Sequence, residues 1–116
     1  MTTPKPHPDL AGDPALRERL AASVAKKAWD LYELLSQAMA KQDVDLSTID
    51  LPGEVAGRRE TRVERLRRYF DAVSAAQRRS RTDAFGLCTA CGAPIPVPVL
   101  TETPWRARCS GCPERG

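Results

Sequence analysis

The chain has few aromatic side chains and no long hydrophobic run. Aromatic residues make up 5% of its 116 residues and charged residues 28%, so leucine, valine and alanine must supply most of the buried surface. A domain of this size is too small to enclose a large substrate pocket, and we do not expect an enzyme. No apolar run approaches the roughly 20 residues of a membrane span, and the first ten residues lack a signal peptide's hydrophobic segment. We therefore expect a cytoplasmic protein that does not enter a membrane.

The N-terminal residues have no helical or strand pattern. Pro4, Pro6 and Pro8 occupy alternate positions, an arrangement that favours an extended, mobile segment. We therefore predict a disordered tail over residues 1–13. His7 lies between two of these prolines, where a single histidine is usually solvated, and we assign it no role.

Two longer segments have the apolar spacing of α-helices. The first runs over about residues 14–41 after Asp13, a good helix cap, and the second over about residues 54–81. The apolar positions recur every three or four residues: Leu16, Leu20, Val24, Ala28, Leu31, Leu35 and Ala38, then Val63, Leu66, Phe70, Val73 and Gln77. This is the seam of an antiparallel coiled coil. We interpret Trp29 and Tyr32, beside the seam, as packing residues.

The segment between the helices, residues 42–54, has the composition of a turn and carries only negative charge. Pro52 and Gly53 break regular structure there. Its acidic residues are Asp43, Asp45, Asp50 and Glu54. They could be presented to a basic groove or to a metal ion held by a partner, although acidic turns are common. Residues 14–84 are thus predicted to form a helical hairpin with an acidic tip.

The second helix is rich in arginine. Its basic residues are Arg58, Arg59, Arg62, Arg65, Arg67, Arg68, Arg78, Arg79 and Arg81. Such runs usually cover a solvated face. The spacing also predicts ion pairs one helical turn apart, between Glu54 and Arg58 and between Glu64 and Arg68.

The first 87 residues contain no cysteine, and all four cysteines follow within a short stretch. They form two pairs, each with two intervening residues and separated by seventeen residues: Cys88 and Cys91, then Cys109 and Cys112. This is the spacing of a tetrahedral four-cysteine zinc site. Four thiolates leave no open position on the metal, so we predict one structural Zn²⁺ in a finger over residues 85–112, followed by a short tail over 113–116.

The cysteine pattern has two other interpretations. A thioredoxin-like redox motif has a single pair at a helix start in a βαβ unit, a pattern that is missing here. Iron uses similar ligands, and ligand type alone does not separate it from zinc. Between the pairs, the prolines allow only short strands at an edge. Trp105 most simply packs over the metal knuckles; with Arg106 and Arg108 it is weak evidence for nucleic acid.

The finger residues resemble a known family. The pattern Phe85-Gly86-x-Cys88-x-x-Cys91-Gly92-x-Pro94-Ile95, followed by Leu100, Pro104 and Cys109-x-x-Cys112, is similar to the zinc finger of the DksA/TraR family. This resemblance implies a transcription regulator that binds bacterial RNA polymerase and inserts its coiled-coil hairpin through the secondary channel. It also implies that tip acids approach the active centre, with Glu54-Val55-Ala56 nearest the family's tip pattern, so Ala56 joins the candidate tip residues.

The sequence therefore predicts a mainly α protein with an antiparallel coiled-coil hairpin and a small C-terminal four-cysteine zinc finger. Its expected function is DksA/TraR-like regulation of transcription, and we do not expect direct DNA binding. Two alternatives stay open. One is a zinc-stapled coiled-coil adaptor between proteins; the other is an arginine-rich nucleic-acid-binding protein, whose affinity would fall steeply with salt.

Overall fold

The computed structural model describes residues 5–40 and 59–112. These residues form four helices: α1 (Pro8–Ala11), α2 (Pro14–Met39), α3 (Arg62–Arg79) and α4 (Val97–Glu102). Within the two described ranges there is no strand, only an isolated antiparallel bridge between Leu87 and Pro94. The prediction of a mainly helical fold is confirmed for these parts of the chain. None of the helices described is both long and apolar enough to cross a membrane.

Helix α2 begins where the sequence pattern places its start. The side chain of Asp13 accepts a hydrogen bond from the backbone N–H of Leu16 at 3.1 Å, and Pro14 occupies the first helical turn, where a missing N–H costs nothing. The buried side chains recur at helical spacing: Leu20, Val24, Ala28, Leu31 and Leu35. One face of α2 thus points into the core.

Helix α3 begins at Arg62, later than the predicted start at residue 54, and residues 59–61 are not helical. A capping box sets this start: Thr61 Oγ1 accepts from the N–H of Glu64 at 3.1 Å, and the Glu64 carboxylate accepts from the N–H of Thr61 at 3.4 Å. Glu64 is thus engaged at the cap. Arg68 instead donates to the Glu60 carboxylate at 3.0 and 3.1 Å, so the predicted pair between Glu64 and Arg68 is wrong.

Replacing Thr61 with alanine should shorten α3 from its N-terminal end. We expect the free energy of unfolding to fall by about 1 kcal/mol, because the backbone N–H of Glu64 loses its side-chain acceptor. Urea unfolding followed by circular dichroism measures the change. Thr61→Ser keeps the hydroxyl and should stay close to wild type; equal losses in the two variants would contradict the capping box.

Helices α2 and α3 share one apolar core. Leu66, Val73 and Ala76 of α3 belong to the same buried cluster as the inward face of α2. The Arg17 guanidinium donates to the carbonyl oxygens of Ser80 and Thr82 at 3.1 and 2.7 Å. The start of α2 therefore lies beside the end of α3.

Farther along α2, the rings of Tyr32 and Phe70 lie 6.2 Å apart. Tyr32 thus packs at the contact between α2 and α3, as predicted, and Trp29 stacks on it at 5.9 Å. Both remain partly open to solvent, Trp29 at 60% and Tyr32 at 52% exposure. The connection between α2 and α3 lies outside the described residues, and the coiled-coil hairpin with its tip stays a prediction.

The N-terminal segment differs from the predicted disordered tail. Residues Pro8–Ala11 form α1, Leu10 is 1% exposed, and His7 is 2% exposed. The Nε2 atom of His7 lies 2.7 Å from the carbonyl oxygen of Ile95, which can only accept, so Nε2 carries the proton and donates. Its Nδ1 accepts from the N–H of Asp9 at 3.2 Å. Proline tolerates the first helical turn, and Leu10 adds enough buried apolar surface to hold the segment.

Candidate metal centre

The first cysteine pair lies in a tight turn after the bridge between Leu87 and Pro94. The N–H of Cys88 donates to the carbonyl of Ala93 at 2.8 Å, and the N–H of Gly92 donates back to the carbonyl of Cys88 at 2.9 Å. Gly92 has φ 77°, a left-handed conformation that favours glycine. This closed turn directs the sulfurs of both cysteines to one side.

The second pair forms a similar turn, in which the N–H of Cys112 donates to the carbonyl of Cys109 at 3.1 Å. A hydrogen bond links the first turn to the chain just before the second turn: the N–H of Thr89 donates to the carbonyl of Ala107 at 2.7 Å. This bond holds the two cysteine pairs side by side, although they are far apart along the chain.

The segment between the pairs contains helix α4 where the sequence analysis expected at most short edge strands. Pro96 caps this helix and Pro98 lies in its first turn, the positions at which proline does not interrupt a helix. Ile95 and Leu100 are fully buried in the core that α2 and α3 share. The finger is thus anchored to the long helices by its own apolar residues.

Trp105 provides a further contact between the finger and the helices. Its ring lies 6.1 Å from that of Tyr69 on α3, and the ammonium group of Lys27 on α2 lies 5.7 Å from its centroid. The ring of Trp105 therefore contacts α2 and α3, whereas the sequence predicts that it packs over the metal knuckles.

The structure brings together all four predicted ligands, Cys88, Cys91, Cys109 and Cys112. Their sulfur atoms lie within 4.8 Å of one another, and those of Cys91 and Cys109 are 3.6 Å apart. A tetrahedral site with Zn–S bonds of about 2.3 Å requires sulfurs about 3.8 Å apart. The four thiols are free. The cluster fits one tetrahedral metal ion, and its geometry does not identify the element.

The thiols influence one another's ionisation. Hydrogen bonds from the backbone N–H groups of Cys109 and Cys91 lower the pKa of the Cys88 thiol to about 6. The neighbouring side chains of Cys91, Cys109 and Cys88 raise the pKa of Cys112 to about 12. Four thiolates this close repel one another strongly, and a divalent cation offsets that repulsion. The cluster is thus suited to a cation and poorly suited to four free anions.

Sequence reasoning missed the support that the N-terminal segment gives to the finger. The buried ring of His7 holds the carbonyl of Ile95, and Leu10 packs close to Gly86, immediately before the first cysteine turn. No spacing pattern connects these positions, and the alternate prolines pointed to disorder.

The predicted tip residues cannot be placed by the structure. Asp43, Asp45, Asp50, Glu54 and Ala56 lie outside the described residues, as does Arg58, the expected partner of Glu54. Their proposed role stays a prediction from the sequence.

Comparison of the chain with protein-family models, curated proteins and solved structures finds no match. Function is therefore inferred from the cysteine cluster, its attachment to α2 and α3, and the resemblance of the finger motif.

Proposed function

We propose that the chain is a zinc-finger transcription regulator, similar to the DksA/TraR family, that binds bacterial RNA polymerase through the secondary channel and is not itself an enzyme. The observation that carries this proposal is the gathering of four cysteine sulfurs within 4.8 Å in a finger that packs against a pair of helices. In the proposal Zn²⁺ is structural, because four thiolates leave no open position for a substrate.

The two long helices fit the same proposal. An antiparallel coiled-coil hairpin needs the start of one helix beside the end of the other, and Arg17 is hydrogen-bonded to the chain just after α3. Residues 41–58 then connect the far ends and carry the acidic residues. The finger packs against both helices through their shared core and Trp105, and in the proposal the stalk presents its tip to a partner at a distance.

A direct test is binding of the zinc-loaded chain to bacterial core RNA polymerase, with a known secondary-channel factor as competitor. Saturable binding that the competitor displaces supports the channel. Binding that is not displaced points to another surface of the polymerase, and absence of binding at micromolar concentration contradicts the proposal.

The tip acids provide a prediction for the same assay. Replacing Asp50 and Glu54 with alanine should leave helical content and polymerase affinity close to wild type while removing most of the effect on transcription, because these carboxylates would act at the active centre. The matched control is Asp83→Ala with Glu102→Ala, which removes two exposed acids that lie outside the tip in the sequence. Full transcriptional activity in the tip variant, with folding retained, would contradict the assigned role.

The adaptor alternative is supported by one observation, the exposed pair Trp29 and Tyr32 on α2. The nucleic-acid alternative depends on the arginines of α3, and it predicts binding that weakens steeply with salt because counterions are released. Binding of DNA and RNA titrated at several salt concentrations separates these two alternatives: weak, salt-insensitive binding removes the second.

A further inference from the structure

The large hydrophobic side chains that remain exposed in the described residues share one face of the α2–α3 pair. They are Trp29, Tyr32, Met39 and Val63. Met39 follows Tyr32 by seven residues and Val63 precedes Phe70 by seven, and positions seven apart lie on the same side of a helix. The exposed apolar surface is therefore concentrated on one side of the molecule.

This face contains a groove of about 280 Å³, which we call the aromatic groove. Its lining residues are Ala25, Ala28, Trp29, Tyr32, Phe70, Ser74 and Gln77. The ring of Trp29 stacks on that of Tyr32 at 5.9 Å, and Tyr32 contacts Phe70 at 6.2 Å. Three of the six aromatic residues of the chain thus line a single exposed groove. Stacked, half-exposed aromatic side chains are typical of binding hot spots.

We propose that a second copy of this chain occupies the aromatic groove, in a symmetric dimer whose two-fold axis runs parallel to α2 and α3. This inference does not depend on the proposed function. In such a dimer, α2 of each copy lies opposite α3 of the other, and the two sets of aromatic side chains meet at the axis.

The α2 edge of the groove carries two acidic side chains and, between them along the helix, Lys26, which lies on the same side because it precedes Glu33 by seven residues. Glu33 follows Trp29 by four residues, and Glu18 precedes Ala25 by seven, which places both beside the groove at 100° per residue. Both are exposed. A partner with basic groups at these two levels would be attracted to this edge.

The α3 edge of the groove carries two basic side chains and one acidic side chain. Arg67 precedes Phe70 by three residues, and Arg78 follows Ser74 by four, so both lie on the outer side of the groove. Asp71 lies between them along the helix, within about 40° of both. Both arginines are exposed. Along the α2 edge the charges run acidic, basic, acidic, and along the α3 edge basic, acidic, basic. Opposite order on the two edges is the condition for this surface to complement a copy of itself.

The levels of the charges along the helices also match. Arg17 lies beside Ser80, and Tyr32 lies beside Phe70, so Glu18 is near the level of Arg78 and Glu33 near that of Arg67. A two-fold rotation about the proposed axis leaves each residue at the same height along the helices and places the α2 edge of one copy opposite the α3 edge of the other. Glu33 of one copy then faces Arg67 of the other, and Glu18 faces Arg78, each pair occurring twice.

The size of the face indicates a weak, reversible dimer. From Glu18 to Met39 is about 30 Å along α2, and two packed helices are about 20 Å wide, giving on the order of 600 Å² per copy. This is below the roughly 800 Å² per partner of a standard interface. We therefore expect dissociation in the micromolar range.

Sedimentation equilibrium of the full zinc-loaded chain, from about 1 to about 500 µM, tests the proposal. Wild type should pass from monomer to dimer over this range. Trp29→Ala should raise the dissociation constant at least about 30-fold, since a central tryptophan is a typical hot spot. Because Trp29 is 60% exposed, its loss should not unfold the chain, which circular dichroism checks. Glu102→Ala, an exposed change on the finger, is the control and should dimerise as wild type does.

Charge exchange between chains tests the symmetry. Glu33→Arg and Arg67→Glu should each weaken self-association at least about tenfold, because each places like charges opposite each other twice. Mixing these two variants restores both pairs, but only between unlike chains, and should recover dimers of near wild-type affinity. An ion pair between Glu33 and Arg67 of the same chain could not produce this recovery on mixing.

Three outcomes would overturn the proposal: a wild-type chain that stays monomeric throughout, dimers that survive Trp29→Ala, or charge variants that do not associate on mixing. A monomeric chain that binds an unrelated helical peptide through Trp29 would assign the groove to a different protein. Reciprocal recovery on mixing, with the control unchanged, supports the two-fold arrangement.

Discussion

Cys88→Ser is expected to abolish stoichiometric metal binding and to unfold the finger. Wild type should contain one zinc per chain, and the variant less than about a tenth of that, because a serine hydroxyl is a far weaker ligand than a thiolate. Apparent binding free energies of structural zinc sites are about 10–16 kcal/mol. Loss of one of four sulfurs removes a large part of what holds the two cysteine turns together.

Elemental analysis of freshly reduced protein, combined with cobalt substitution, gives the measurement. Cobalt in a four-thiolate tetrahedral site has characteristic visible absorption, which the variant should lack. Ala90→Ser is the matched control, since it places a hydroxyl between the first two ligands and keeps every sulfur. Cys88 is 3% exposed, so its replacement could disturb packing as well as metal binding. Cys112→Ser, at a less buried ligand, therefore serves as a second variant. Iron in the native protein would replace zinc in the proposal, and absence of any metal would refute it.

Removal of the metal should also affect the long helices. Phe85, Ile95 and Leu100 belong to the same buried cluster as Leu31 and Leu66 of α2 and α3. The finger therefore has no separate core, and its loss exposes part of the surface that the helices share. We expect chelation to lower both the near-ultraviolet signal of Trp105 and the stability of α2 and α3.

The parts of this fold that could be predicted are those in which local spacing determines structure. Two pairs of cysteines with two intervening residues give a metal site because each turn is short and self-contained. Helix α2 could be placed because Asp13 and Pro14 mark its start and its apolar residues recur without interruption. In both cases the residues that decide the structure are neighbours in the sequence.

The N-terminal segment could not be predicted because its partners are distant. His7 is hydrogen-bonded to Ile95, 88 residues away, and periodicity contains no information about such a contact. The alternate prolines correctly exclude a long helix, yet they allow the single turn of α1 that begins at Pro8. Disorder was inferred from local composition, and tertiary packing overrides it here.

The start of α3 and its charge pairs illustrate a different limit. Thr61 and Glu64 form a capping box, a local signal that the apolar spacing of the helix concealed. Because the Glu64 carboxylate is hydrogen-bonded at the cap, Arg68 forms its ion pair with Glu60, whose side chain is 3% exposed. Helical spacing identifies residues that can reach each other, but it does not decide between competing partners.

The contact of the N-terminal segment with the finger predicts a large effect at Gly86. This residue has φ 82°, and a Cβ there would lie 2.9 Å from Leu10 Cδ1 and 3.0 Å from His7 Cδ2. Gly86→Ala therefore combines an unfavourable backbone conformation with a steric overlap. We expect the free energy of unfolding of the zinc-loaded protein to fall by about 2–4 kcal/mol.

Gly92 provides the matched control. It has a similar backbone conformation, φ 77°, but a Cβ there would have no neighbour within 4 Å. Gly92→Ala should thus cost only the conformational part, about 1 kcal/mol. The difference between the two variants, measured by urea unfolding at fixed zinc, isolates the overlap at Gly86.

A double-mutant cycle identifies the residue that is displaced. Leu10→Ala alone should destabilise the protein by about 2–3 kcal/mol, because it leaves a cavity in the shared core. In the double variant the alanine Cβ at position 86 no longer meets Leu10 Cδ1. The loss of stability in the double variant should therefore be smaller than the sum of the two single losses by about 1 kcal/mol or more. Additive effects, or equal costs at Gly86 and Gly92, would show that the N-terminal segment does not pack on the finger in solution.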